Sequence, residues 1–123
     1  MKIKSLGLEN VRSVEWIEEK NAIQLIDQRL IPFEIKFNLY STVLDICEAI
    51  KTMVVRGAPA IGATAAYATA LAIKEIENIP VCDKKAKLEE KLDMIQATRP
   101  TAVDLKNYSF LVYQAALETN FSF

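Results

Sequence analysis

The chain has no histidine. Imidazole acid–base chemistry and histidine-ligated metal sites are therefore excluded. Cysteine is nearly absent: Cys47 and Cys82 are the only two, too few for a structural zinc site built on thiolates. Two isolated cysteines read as reduced thiols rather than as a disulfide framework. With only three glycines, the chain offers neither a G-x-G-x-x-G segment nor a P-loop, which argues against nucleotide binding through a glycine-rich loop. An excess of one charge is missing too. Fifteen basic and sixteen acidic residues leave a net charge of −1, so no basic field invites nucleic acid. The longest uncharged stretch, 57–73, is rich in alanine and short for a membrane span; it reads as a buried helix. The first ten residues, M-K-I-K-S-L-G-L-E-N, lack the apolar core of a secretory leader. A cytoplasmic protein, with no membrane partner, no metal and no cofactor, is the expectation.

What is present suits a folded globular chain. Hydrophobic residues make up 51% and charged residues 25% of 123 positions. That length implies one domain, 1–123, burying roughly two thirds of its unfolded surface. The expected fold is α+β and mainly helical: a small antiparallel β-meander over 1–40, then about four helices over 41–123. Strands are expected at Val14–Ile17, Ala22–Asp27 and Phe33–Leu39, with Phe33, Ile35, Phe37 and Leu39 on one face. Ser41 or Thr42 can cap a first helix running to about Val55, with Leu44, Cys47, Ile50, Met53 and Val54 on its apolar stripe. A second helix should run from Pro59 to about Glu77. Pro80 and Asp83 mark a break. A third helix follows from about Lys84 to Ala97 on Leu88, Leu92 and Ile95, and a fourth from Ala102 to about Glu118. The second helix is apolar nearly all round, so another domain or subunit is expected to cover part of it.

The densest information lies in Met53–Gly62, M-V-V-R-G-A-P-A-I-G. An apolar helical run stops at Arg56, Gly57 permits a positive φ, and Pro59 suits the first turn of a new helix. Free amide groups and the helix dipole at such a start favour an anion, and Arg56 can add a bidentate contact to phosphate or carboxylate. The arrangement recurs at Ala97–Leu105, A-T-R-P-T-A-V-D-L. Arg99 precedes Pro100, and Thr101 with Asp104 fits a capping box. Two such starts, converging, would suit a small phosphorylated ligand. The bland reading of Arg56 is a surface cation beyond a helix C-terminus. Asp27, Gln28 and Arg29 read as a turn held by local hydrogen bonds. Cys47 reads as a packed thiol, and Tyr67, Tyr108 and Tyr113 as core or interface residues.

Leu25–Pro32 (L-I-D-Q-R-L-I-P), Met53–Gly62 and Thr98–Leu105 follow one another as they do in the methylthioribose-1-phosphate isomerase family. From about Val14 to about Ala116 the chain resembles that family's N-terminal domain. The wider family takes in ribose-1,5-bisphosphate isomerase and the regulatory subunits of the exchange factor for translation initiation factor 2. The resemblance implies aldose–ketose isomerisation of a sugar 1-phosphate in methionine salvage. It implies substrate binding by Arg56, Gly57, Ala58 and Arg99. It assigns no catalytic residue here, because the family's catalytic cysteine and aspartate sit in a larger C-terminal Rossmann-like domain that this chain lacks. Neither Cys47 nor Cys82 matches that cysteine. The implied partners are a sugar-phosphate substrate and the Rossmann-like domain, or a partner chain supplying it; a homo-oligomer is compatible with both. The chain alone is expected to show no isomerase activity. The same features would serve a non-catalytic regulatory or interaction protein related to the exchange-factor subunits, or a truncated remnant.

Overall fold

A short apolar segment, A-I-Q-L-I, organises the first part of the chain. Four of its five residues are buried, so it belongs at the centre of a sheet. In the computed structural model, which describes residues 2–3, 8–12 and 14–121, this segment is β4 (Ala22–Ile26), flanked by β3 (Val14–Ile17) and β5 (Phe37–Tyr40). The three strands form an antiparallel sheet in the order β3-β4-β5. A two-stranded antiparallel pair, β1 (Lys2–Ile3) with β2 (Leu8–Arg12), precedes it and was not expected from the sequence. The reading of the first ten residues rests partly on Met1 and 4–7, outside the described set.

The third strand is shorter than expected, and its parity is reversed. The amides of Phe33 and Glu34 donate to the Leu30 carbonyl at 2.9 and 3.0 Å, which uses them in a turn. Phe33 is left 94% exposed. Register explains the parity. Ile23 and Leu25, fully buried, pair with Tyr40 and Asn38. The core face of β5 is therefore Asn38 and Tyr40, and Phe37 and Leu39 point the other way and stay exposed. A one-residue difference in parity exchanges the two faces of a strand.

Four helices follow: α1 (Val43–Lys51), α2 (Ala58–Glu75), α3 (Val81–Ala97) and α4 (Val103–Glu118). Thr42 caps α1, its hydroxyl accepting from the Asp45 amide at 3.1 Å. The α1 stripe is Val43, Ile46, Cys47 and Ile50, spaced i, i+3, i+4, i+7. Leu44 falls outside it and is exposed. The helix stops at Lys51, four residues early, and Met53 takes a φ of 66°. Val54 and Val55 are nonetheless buried, as plugs in the connecting segment. Burial pushes the Cys47 thiol up to about 11, which fits a packed side chain.

α2 packs on α1, α3, α4 and β3, so most of its cover comes from within the chain. Its two buried threonines satisfy their hydroxyls on the same helix, Thr64 on the Ala60 carbonyl at 2.7 Å and Thr69 on that of Ala65 at 2.8 Å. Trp16 of β3 stacks on Tyr67 of α2 with centroids 6.0 Å apart. Near the C-terminus of α2, Glu75 accepts from the Val43 amide at 2.9 Å and from Lys91 Nζ at 2.7 Å. One carboxylate thus ties the start of α1 and the middle of α3 to the end of α2. α3 begins at Val81 rather than Lys84, with Pro80 at its cap and Asp83 in its first turn, where negative charge meets the positive end of the dipole. Its buried residues are Leu88, Leu92 and Ile95, as the periodicity indicates. Among the described residues no helix is long and apolar enough to cross a membrane.

Candidate functional site

The segment carrying Arg56 is pinned from two sides. The buried Val54 and Val55 anchor it to the core. The Gln28 amide also donates to the Val54 carbonyl at 2.8 Å, which joins the Asp27-Gln28-Arg29 turn to the Arg56-Gly57-Ala58 segment. Arg56, Gly57 and Ala58 then emerge at the surface. Gly57 sits at φ 92°, ψ 136° and is the N-cap of α2, a backbone conformation that glycine tolerates and L side chains resist. Having no side chain, it cannot cap the first-turn amides. Pro59 lies in that first turn, and no acidic residue does. The positive end of an 18-residue helix is therefore left without a protein anion in its first turn.

α4 begins in a related way, except that its first turn carries a carboxylate, Asp104. Its N-cap is Ala102, with no side-chain cap. The expected Thr101–Asp104 capping box does not form: the helix starts one residue later, and Thr101 is left exposed in the turn closed by the Ala102 amide on the Arg99 carbonyl at 3.0 Å. Arg99 is half-buried just before this start. α3 also lacks a side-chain cap, but no arginine precedes it.

The sequence did not show what brings these two starts together. Gly62, one turn into α2, lies against α4. A Cβ built on it would stand 3.2 Å from Asp104 Cβ and 2.8 Å from Tyr108 Cε2. Asp104 is the second residue of α4. The N-termini of α2 and α4 thus share one end of the helix layer, each within about a turn, roughly 5 Å, of this crossing. The signal in the sequence was the glycine inside an otherwise alanine-rich helix, a mark of close approach.

The arginines differ in what they bind. Arg29 is committed. Its backbone N, Nε and Nη2 all donate to the Asp27 carboxylate, at 3.0, 2.9 and 2.7 Å. Arg56 and Arg99 form no ion pair among the described residues. The expected local turn at Asp27–Arg29 is what the structure contains. The Arg29 guanidinium holds the Asp27 carboxyl below its ordinary 3.8, against the opposing effect of burial. A carboxylate whose folded pKa is depressed stabilises the fold above its unfolded pKa, and that contribution is lost as pH falls through the lowered folded value. The denaturant midpoint is therefore expected to decline as pH drops below about 4, and Asp27→Asn should remove part of that decline. A pH series of urea titrations on both proteins checks this; identical profiles would contradict it.

Tyr113 is buried between α3 and α4 and donates to Glu89 at 2.7 Å, while burial, with Glu89, pushes its hydroxyl up to about 12. Tyr67 packs half-buried on Trp16, and Tyr108 lies over Gly62. Cys82 is exposed in the first turn of α3, remote in sequence from both arginines.

Residues 54–121 match the Initiation factor 2 subunit family, and the chain belongs to that family. The matched span includes both arginine segments. Among curated proteins, the chain is 42% identical over 105 residues to a methylthioribose-1-phosphate isomerase of Pseudomonas syringae pv. syringae, covering 85% of this chain and 28% of that protein. It is 47% identical over 93 residues to the enzyme of the same name from Maridesulfovibrio salexigens, covering 76% and 26%. Among solved structures, 5-methylthioribose 1-phosphate isomerase from Pyrococcus horikoshii OT3 matches with a TM-score of 0.80 and 35% identity, over 89% of this chain and 30% of that one. Translation initiation factor eIF-2B, subunit delta, from A. fulgidus matches with a TM-score of 0.80 and 37% identity, over 88% and 31%. The chain thus spans less than a third of the length of these relatives. The three-stranded sheet followed by four helices is the architecture of the matched part.

Proposed function

We propose that this chain is the substrate-binding portion of a methylthioribose-1-phosphate isomerase-type protein, working in the cytoplasm in methionine salvage. Arg56, the Gly57 and Ala58 backbone, and Arg99 hold the phosphate and sugar hydroxyls of an aldose 1-phosphate. The observation that carries this reading is the pairing of two uncapped helix starts at one end of the fold, each preceded by an arginine with no carboxylate partner among the described residues. Amide groups and dipole supply directional donors, and the guanidinium adds charge and a planar fork. Relatives at 39–47% identity that carry the isomerase name favour the sugar phosphate over other anions.

Holding a phosphate fixes a substrate relative to reacting groups and can lower a barrier only where those groups are present. This chain carries no histidine, and its Cys47 is a buried thiol. In this reading it binds and orients without turnover by itself. A second reading, a regulatory subunit that senses a ligand without chemistry, is favoured by the equal TM-score to the initiation-factor subunit. It uses the same site.

Calorimetric titration with methylthioribose-1-phosphate tests the reading. Saturable binding is expected, weakened about 10- to 150-fold by Arg56→Ala, the range for losing a hydrogen bond to a charged group. Binding unaffected by Arg56→Ala, or detectable isomerase turnover by the chain alone, would overturn it.

A further inference from the structure

Six residues, 52–57, connect the end of α1 to the start of α2. Arg56 and Gly57 lie in this segment, so its path decides where the first helix start presents its arginine. The beginning of the segment is held by α1 itself. The Thr52, Met53 and Val54 amides donate to the Glu48, Ile50 and Ala49 carbonyls. Among the described residues, the one backbone hydrogen bond that reaches the segment from outside α1 and α2 runs from the Gln28 amide to the Val54 carbonyl, at 2.8 Å.

That amide belongs to a turn built on Asp27, which follows the central strand β4. Asp27 is 3% exposed. Its amide donates to the Lys36 carbonyl at 2.9 Å, and its carbonyl accepts from the Leu30 amide at 3.2 Å. One carboxylate oxygen, Oδ1, takes the Arg29 amide and Nε, and Oδ2 takes Nη2. An asparagine at this position can accept from the Arg29 amide and cap the turn without burying a charge. The carboxylate adds the second acceptor, and with it a two-bond hold on the planar guanidinium that fixes orientation. Gln28 stands between the two partners, so the direction of its N–H follows from their geometry. We infer that the Asp27–Arg29 ion pair positions the anion site: by fixing the turn it aims the Gln28 amide at Val54, and so sets where Arg56 and Gly57 stand. Both side chains act through the backbone, as positioning residues. This inference rests on the reading of Arg56 and Gly57 as phosphate contacts.

Calorimetric titration of methylthioribose-1-phosphate into the full chain and into two variants tests it. Asp27→Asn keeps the cap of the turn and loses the two-oxygen hold on Arg29. Gln28→Pro keeps the ion pair and deletes the amide. Proline suits this position, the first of the short 3-10 helix Gln28–Leu30, because Asp27 before it is extended (φ −72°, ψ 99°). Each variant is expected to weaken binding about fivefold or more, the effect of losing one hydrogen bond. The double variant should bind no more weakly than the worse single, because both changes break one path. In the ligand-free chain, the amide chemical shifts of Arg56, Gly57 and Ala58 should move in both variants, and those of Val103, Asp104 and Leu105 should not. Leu88→Ala, destabilised through α3, should alter neither the binding nor these shifts, which separates positioning from lost stability. Single variants that bind as tightly as the unchanged chain, or losses that multiply in the double variant, overturn the inference alone. Absence of saturable binding by the unchanged chain overturns the reading of the site, and this inference with it.

Discussion

Leu88→Ala is expected to lower the unfolding free energy by about 2–5 kcal/mol, the range for emptying a buried leucine site. Leu88 is fully buried, and it is the only buried residue in the first eleven of α3. The remainder of that half-helix is charged or exposed and gains little from being in place. Removing three carbons there takes away most of what holds the N-terminal half of α3 on α2, and α3 has few other apolar atoms with which to refill the space. Against a total stability of about 5–15 kcal/mol for a domain of this size, the loss is a large share. Urea unfolding of both proteins checks it. A drop below about 1 kcal/mol at unchanged m-value would show that Leu88 is not a principal anchor.

Gly62→Leu should also destabilise the fold, by less and for the opposite reason. The added Cβ would meet the Tyr108 ring and Asp104 Cβ. Tyr108 is partly exposed and can swing away. Asp104 Cβ moves only if the α4 backbone moves. Overpacking of this kind costs about 1–3 kcal/mol, partly offset by the better helix propensity of leucine, about 0.8 kcal/mol relative to glycine. Gly62→Ala should therefore fall near neutral in stability. The more telling effect is on the site, because the Gly62 contact sets the distance between the two helix starts. Gly62→Leu is expected to weaken sugar-phosphate binding at temperatures where the protein is still fully folded. Leu88→Ala, also folded, should leave binding nearly unchanged. Equal binding by all three proteins would mean that the α2–α4 crossing does not position the site.

Much of the helical part was legible because helices announce themselves over long, periodic stretches. Leu88, Leu92 and Ile95 repeat at helical spacing, and Pro80 and Pro100 punctuate. The short elements were harder. In Phe33–Leu39 the alternation of Phe33, Ile35, Phe37 and Leu39 points to a buried face, but the turn at Leu30–Glu34 consumes the first residues, and pairing with β4 puts Asn38 and Tyr40 on the core side. Strand parity is decided by the neighbouring strand, which a local pattern does not contain. The end of α1 was overrun for a similar reason: Val54 and Val55 are buried, as an apolar run suggests, but as plugs after the helix has ended.

For the candidate site, the arginine–turn–helix pattern and the positive φ of Gly57 were readable from residue types alone. The cap at Thr101 was not, since Ala102 takes the cap position by backbone geometry. The proximity of the two starts depends on a tertiary contact at Gly62, for which the sequence offered only the presence of a glycine in a helix. The tie from Gln28 to Val54 is a backbone bond and carries no side-chain signature.

In the proposed function the starts of α2 and α4 form one anion site. Backbone amide chemical shifts recorded while methylthioribose-1-phosphate is titrated into the 15N-labelled chain test it most directly. The amides of Gly57, Ala58 and Ala60 and those of Val103, Asp104 and Leu105 are expected to move together, with one saturation constant, and Arg56→Ala and Arg99→Ala are each expected to weaken the response at both helix starts. Shifts confined to one helix start, or two separate saturation constants, would contradict it.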